Sequence, residues 1–225
     1  MDGIKRMQTN TFTRIAFLGI AVVSVTLTGA VLTNRSDPNG FDSERFWEIP
    51  RLRAVEAESF DTLQDMVNSS DVVVVGRVLE VAPSRIIDAR PANIADSADP
   101  DAWFAGYASV RLDAEWASPA GGAVTFEVFL STESKYREFL TAPLPKERSL
   151  FFLRNKEVAA LSAGWPAELA ATERPYFMLV NADQGAIHDI NGIAQIAEHD
   201  GDGLSSRING VSFEDILREV TQLRE

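Results

Sequence analysis

The chain has no cysteine among its 225 residues. That excludes disulfides, thiolate zinc sites, a cysteine nucleophile and the cysteine through which a lipoprotein is acylated. Histidine is nearly as scarce, with His188 and His199 the only two, so a histidine-centred catalytic site has few ways to form. The hydrolase patterns Gly-x-Ser-x-Gly, Ser-x-x-Lys and His-Glu-x-x-His are missing, as are a phosphate-cradling glycine loop and a dinucleotide fingerprint. No cofactor is expected, and no internal repeat is present.

Positive charge is also short: 21 Lys and Arg stand against 33 Asp and Glu, a net charge of −12. Residues 1–35 hold Lys5, Arg6, Arg14, Arg35 and Asp2, so the rest of the chain keeps 17 basic and 32 acidic residues, a net −15. A domain this acidic repels phosphate backbones and anionic headgroups, which makes nucleic acid a poor partner. Solubility is the plain use of such a surplus. The hydrophobic share of 45% is enough for a core, so wholesale disorder is excluded. Setting the N-terminus aside leaves roughly 165–190 residues, the size of one ordinary domain.

The N-terminus reads as an address. Residues 1–14 are basic, and Ile15 to Thr33 then run for 19 residues without a charge. A helix of that length just crosses a bilayer, and basic residues before it place residues 1–14 in the cytoplasm and the rest outside. Thr28-Gly29-Ala30 offers small residues where a signal peptidase would cut. The expectation is a single-pass anchor at 15–33 in the cytoplasmic membrane, with release after signal cleavage as the alternative. Residues 34–50, with Pro38, Gly40 and Pro50, read as a linker. Phe46 and Trp47 would lie on the membrane interface or on the domain.

From residue 51 onward the pattern is that of an extracytoplasmic β-rich domain. Phe60, Leu63, Met66 and Val67 recur at helical spacing over 59–68, with Ser59 as cap. The run DVVVVGRVLEV, 71–81, is too apolar for a half-wet strand and should be central, with Gly76 marking a bulge. Prolines 83, 91 and 100, with several aspartates, predict a long disordered loop over 83–105. YASVRLDAEW, 107–116, alternates with period two, and 123–130 follows a Pro-Ala-Gly-Gly turn, so the pair predicts an antiparallel hairpin. A short helix at 133–140, strands at 149–154, 176–181 and 186–190, an extension at 192–197 and a helix at 212–224 complete the reading, with Ser212 and Asp215 at capping-box spacing. The predicted fold class is mainly β: a small antiparallel OB-like barrel, closed or nearly so, with one or two flanking helices and the N-terminal transmembrane or signal helix.

The order of segments SSDVVVVGRV, YASVRLDAEW, VTFEVFL, KERSLFFLR and YFMLV…QGAI, ahead of a capped helix, resembles a group of exported, mostly uncharacterised bacterial OB-like β-barrel proteins. The likeness spans roughly residues 59–222 and describes strands more than chemistry. The opening strand and barrel order are also similar to the OB-like inhibitory domain of tissue inhibitors of metalloproteinases. Those act through a disulfide-tethered N-terminal cysteine, which this chain lacks, so the resemblance implies a scaffold and no activity.

Candidate chemistry is thin. Asp183, His188, Asp189, Glu198, His199, Asp200 and Asp202 supply metal-binding groups, but neighbours on one strand such as His188 and Asp189 face opposite ways. Asp200-Gly-Asp-Gly begins like a calcium loop, yet Leu204, Ser205 and Val211 occupy its fifth, sixth and twelfth positions, where an oxygen donor, glycine and glutamate are required. No metal site is therefore expected. Asp113, Glu115 and Glu127 could pair as glycosidase carboxylates. Trp103, Phe104 and Tyr107 border the long loop and are the speculative ligand-binding residues, suited to a flat sugar or peptide. The expected function is a binding or interaction module of the cell envelope, with an envelope protein or glycan as partner and no enzymatic activity. The alternatives are a carboxylate hydrolase of an envelope glycan and a protein inhibitor on the same scaffold.

Overall fold

The computed structural model describes residues 43–50, 59–88, 104–120, 124–197 and 203–225, all within the compact unit Asn39–Glu225. The expected anchor at 15–33, its basic flank and residues 34–42 lie outside the described residues. No helix among those described is long and apolar enough to cross a membrane.

Most elements are where the hydrophobic period puts them. In chain order they are α1 (Ser43–Glu48), α2 (Leu63–Asn68), β1 (Val72–Asp88), β2 (Phe104–Ser118), β3 (Thr125–Leu130), α3 (Glu133–Thr141), β4 (Ser149–Asn155), α4 (Lys156–Ser162), α5 (Ala167–Ala171), β5 (Phe177–Leu179), β6 (Ala186–Ile190), β7 (Ile193–Gln195), α6 (Gly203–Ile208) and α7 (Phe213–Arg224). The sheet runs β3-β2-β1-β4-β6-β7, with β5 on β4 beside β6, and every pairing is antiparallel.

The central place expected for 71–81 is occupied: β1 lies between β2 and β4. Its register slips at Val75/Gly76, where a side chain would drive into the carbonyl oxygen of Asp113. Glycine is required there by the close approach of β2. Alternation along β1 separates two cores. Val73 and Val75 pack with Phe152, Ile187 and the buried stripes of α2, α6 and α7. Val74 and Val78 pack on the other face with Val110, Phe126 and Phe151, under Phe46, Trp47 and Phe139. Each such side chain, once buried, contributes about 1.5–3 kcal/mol.

Several expectations are corrected. The barrel is not closed: among the strands β3 pairs only with β2, β5 only with β4 and β7 only with β6, and the outer side of β7 is met by the chain at 210–212 instead of by a strand. β7 is three residues long, and the face beside it is covered by helices rather than by a returning strand. There are seven helices among the described residues instead of one or two. Residues 43–50, read as the end of a linker, bring α1 into the core, with Phe46 and Trp47 buried. The loop expected over 83–105 is strand at both ends: β1 continues to Asp88, which pairs with Phe104. Pro83 is accommodated because the register slips between Pro83 and Arg85, and a bulge tolerates a missing amide. Residues 89–103 lie outside the described residues. Helix α2 is capped by Thr62, which accepts from Asp65 N, and not by Ser59. Ser212 precedes α7 without a side-chain capping bond, so the predicted capping box does not form.

Candidate functional site

The most concentrated group of charges sits where β1, β2 and β3 meet the end of β4. Cross-strand register places Arg85 opposite Tyr107, Tyr107 opposite Phe129, and Ser109 opposite Glu127. The slip at Pro83 sets Ser84 and Arg85 together against β3. Asn155 ends β4 and caps α4 by accepting from Glu157 N, which fixes Lys156, whose own amide donates to Tyr176 O.

Glu127 is the hub, with its side chain only 2% exposed. It accepts from Ser84 Oγ at 2.5 Å, from Arg85 Nε at 3.2 Å and Nη2 at 2.8 Å, and from Lys156 Nζ at 2.9 Å. Arg85 turns its other edge to Glu173, with bonds of 2.7 and 2.6 Å, and Lys156 lies 3.5 Å from the same carboxylate. Two tyrosine rings enclose the cations: the Arg85 guanidinium is 4.7 Å from the Tyr107 centroid and 4.2 Å from that of Tyr176, and Lys156 Nζ is 3.9 Å from Tyr107. Such stacking adds to the ion pairs once water is excluded.

Burial alone would raise the Glu127 carboxyl, but the bonds from Arg85, Lys156 and Ser84 outweigh it and hold it below the usual carboxylate range. Glu173 is lowered by its bond to Arg85 against a smaller burial penalty. Arg85 is raised, first by Glu173 and then by Glu127. Burial pushes the Tyr107 phenol up, partly offset by Arg85. An ionised Glu127 with no proton to donate, and two cations already engaged, suits a structural clasp better than acid–base chemistry.

The aromatic trio does not share a surface. Trp103 lies outside the described residues. Phe104 and Tyr107 are three positions apart on β2 and point to opposite faces: Phe104 meets Tyr136 edge-on at 5.6 Å, whereas Tyr107 packs on Phe129 at 5.4 Å. The carboxylate set is also dispersed. Glu115 is six positions along β2 from Ser109, the partner of Glu127, or roughly 20 Å at about 3.4 Å per residue. Glycosidase pairs sit within about 10 Å. Glu115 is instead bonded to Arg77 and lies 3.6 Å from Arg148.

The possible metal-binding groups separate likewise, with Glu198, His199, Asp200 and Asp202 outside the described residues. His188 Nδ1 is 2.9 Å from Ser149 Oγ, and its ring stacks on Trp47 at 5.8 Å. Asp189 binds Arg148 at 3.1 Å and Gly192 N at 2.7 Å. The amide of Asp183 donates to Asn181 Oδ1. Among the described residues no three such groups are gathered about a point. Arg148 forms a second junction: besides Asp189 it bonds Glu214 and lies 4.8 Å over the Phe213 ring.

Arg85, Lys156, Glu173 and Tyr176 were not singled out by sequence reasoning, and no local signal marks them. The α4–α5 segment was also missed, although Asn155 before a run of helix-forming residues and Gly164 after it are start and stop signals. Comparison with known proteins adds no assignment: no protein-family model, curated protein or solved structure matches the chain.

Proposed function

We propose that the protein is an exported interaction module held in the cytoplasmic membrane by residues 15–33, whose outer domain binds a protein or glycan of the cell envelope. The observation that carries this reading is that the strongest concentration of charge is closed upon itself, with Glu127 buried under Ser84, Arg85 and Lys156, so the groups nearest to catalytic chemistry serve the fold. An OB-like scaffold is the finer reading of the sheet. β1 stands between β2 and β4, α3 is inserted between β3 and β4, and β5 pairs with β4. Lys156, directly after β4, reaches Glu127 on β3 across the unpaired seam. OB-like domains bind ligands beside strands 2 and 3 and at the loop joining strands 1 and 2. Here residues 89–103, which end at Trp103, join β1 to β2.

The test has two readouts in the intact chain. A reporter active only in the cytoplasm, fused after Glu225, should be silent, and strong activity would overturn the topology. A photoreactive residue in place of Trp103 should give a discrete adduct with an envelope component. No adduct, together with glycan turnover that Glu115→Gln abolishes, would replace the module with the hydrolase.

A further inference from the structure

Between Val158 and Thr172 the chain carries one charge, Glu168, although the domain around it is strongly acidic. Val158, Leu161, Trp165 and Leu169 are all between 46% and 56% exposed. Single exposed apolar residues are ordinary, but four within twelve positions on a charge-poor hairpin mark a contact surface. The hairpin is rigidly built. Gly164 takes a positive φ of 80°, Trp165 N donates to Ala160 O and Ala170 N to Pro166 O, both at 3.0 Å. Arg174 joins Glu157 at 2.7 Å across the base, while Lys156 and Glu173, at either foot, belong to the Glu127 clasp.

We infer that the crest formed by α4, the 163–166 turn and α5 rests in the uncharged interfacial layer of a lipid bilayer. The inference rests on the anchored reading proposed above. Nine residues, 34–42, separate Thr33 from the start of α1, a span of at most about 36 Å, so an anchored domain stays beside the membrane. Most of its surface is repelled by anionic headgroups, whereas this crest carries a single carboxylate, Glu168. Tryptophan collects at the interface, with aliphatic side chains entering below it. The two cations at the hairpin's ends, Lys156 and Arg174, are held by glutamates, so recognition depends on apolar insertion and not on a polybasic patch.

Because the chain has no cysteine, a single thiol can be introduced and labelled uniquely. The full chain with Leu161→Cys, carrying an environment-sensitive fluorophore and reconstituted into phosphatidylcholine vesicles, should shift to the blue. It should lose most of its emission when spin-labelled lipids are included, whereas the same label at Glu219→Cys on α7 should not respond. A label at Ala21→Cys, within the expected anchor, is measured in parallel. Quenching at 21 but not at 161 overturns the membrane contact and leaves the anchor standing. Quenching at neither position overturns both. Self-quenching at 161 that rises with protein density, without lipid quenching, makes the crest a contact between copies and overturns the lipid assignment.

Discussion

Arg85 and Arg148 do the same work in different surroundings. Arg85 is laid over two aromatic rings and Arg148 over one, each bridges two or more carboxylates, and each ties the sheet to a segment packed against it. At Arg85 the central acceptor, Glu127, is almost wholly shielded, whereas Glu214, which answers Arg148, is 60% exposed. Such a contact is therefore worth what its burial makes it. Removing Glu127 takes away a shielded acceptor, while at the second junction Glu214 stands where solvent can replace it.

The sharpest way to break the symmetry is to delete each centre. Glu127→Ala leaves Arg85 and Lys156 with Glu173 as their remaining carboxylate and removes the most shielded acceptor of the group, and should cost ~3–5 kcal/mol, a large part of a total of roughly 5–15. Urea melts would measure it, and a loss below about 1 kcal/mol would mean that the two junctions do not differ. Acid should act next. Glu127 and Glu173 have carboxyl pKa values depressed in the fold, below the ~4.3 of a free glutamate. Their contribution is therefore complete above that value and drains away as pH falls through the lowered folded values. Melting temperature followed from pH 7 downward should be flat at first and then drop. Glu127→Gln should flatten the acid limb, and an unchanged limb would move the titration elsewhere. Arg148→Ala should have the smallest effect, about 1 kcal/mol, and be weakened further by salt. A loss equal to that of Glu127→Ala would show that Arg148 is shielded more than its neighbours suggest.

Much of the sheet was legible because period two reports burial directly. Val110 and Leu112 of β2 are buried and alternate with the exposed Arg111 and Asp113, as the alternation required. Pro83 misled because proline argues against a strand unless a bulge is present, and a bulge depends on the partner strand's register. The open barrel was hidden for a similar reason. Closure is decided by whether β3 finds a partner far along the chain, and nothing local encodes that. Glu127 was noticed as a carboxylate, but Arg85, Lys156 and Glu173 reach it or each other across 42, 29 and 88 positions, separations that no spacing rule reads. The α4–α5 hairpin is different: its cap and stop signals were present, and only the apolar stripe expected of a core helix was missing.

β4 divides its outer edge between two neighbours. Ser149–Phe151 lie against β6 and Leu153–Asn155 against β5, while Val72–Gly76 of β1 hold the other side. At the fork Phe152 is served by loop backbone, donating to Gly185 O and accepting from Val180 N. A strand so placed cannot open piecemeal, because releasing one neighbour leaves the other two attached. Its amides are therefore the last in the domain to meet solvent, exposed only when the whole cooperative unit is lost. Chain segments more than a hundred residues apart must meet before β4 is complete, so the fork is built from the long-range contacts that slow the folding of β-rich domains.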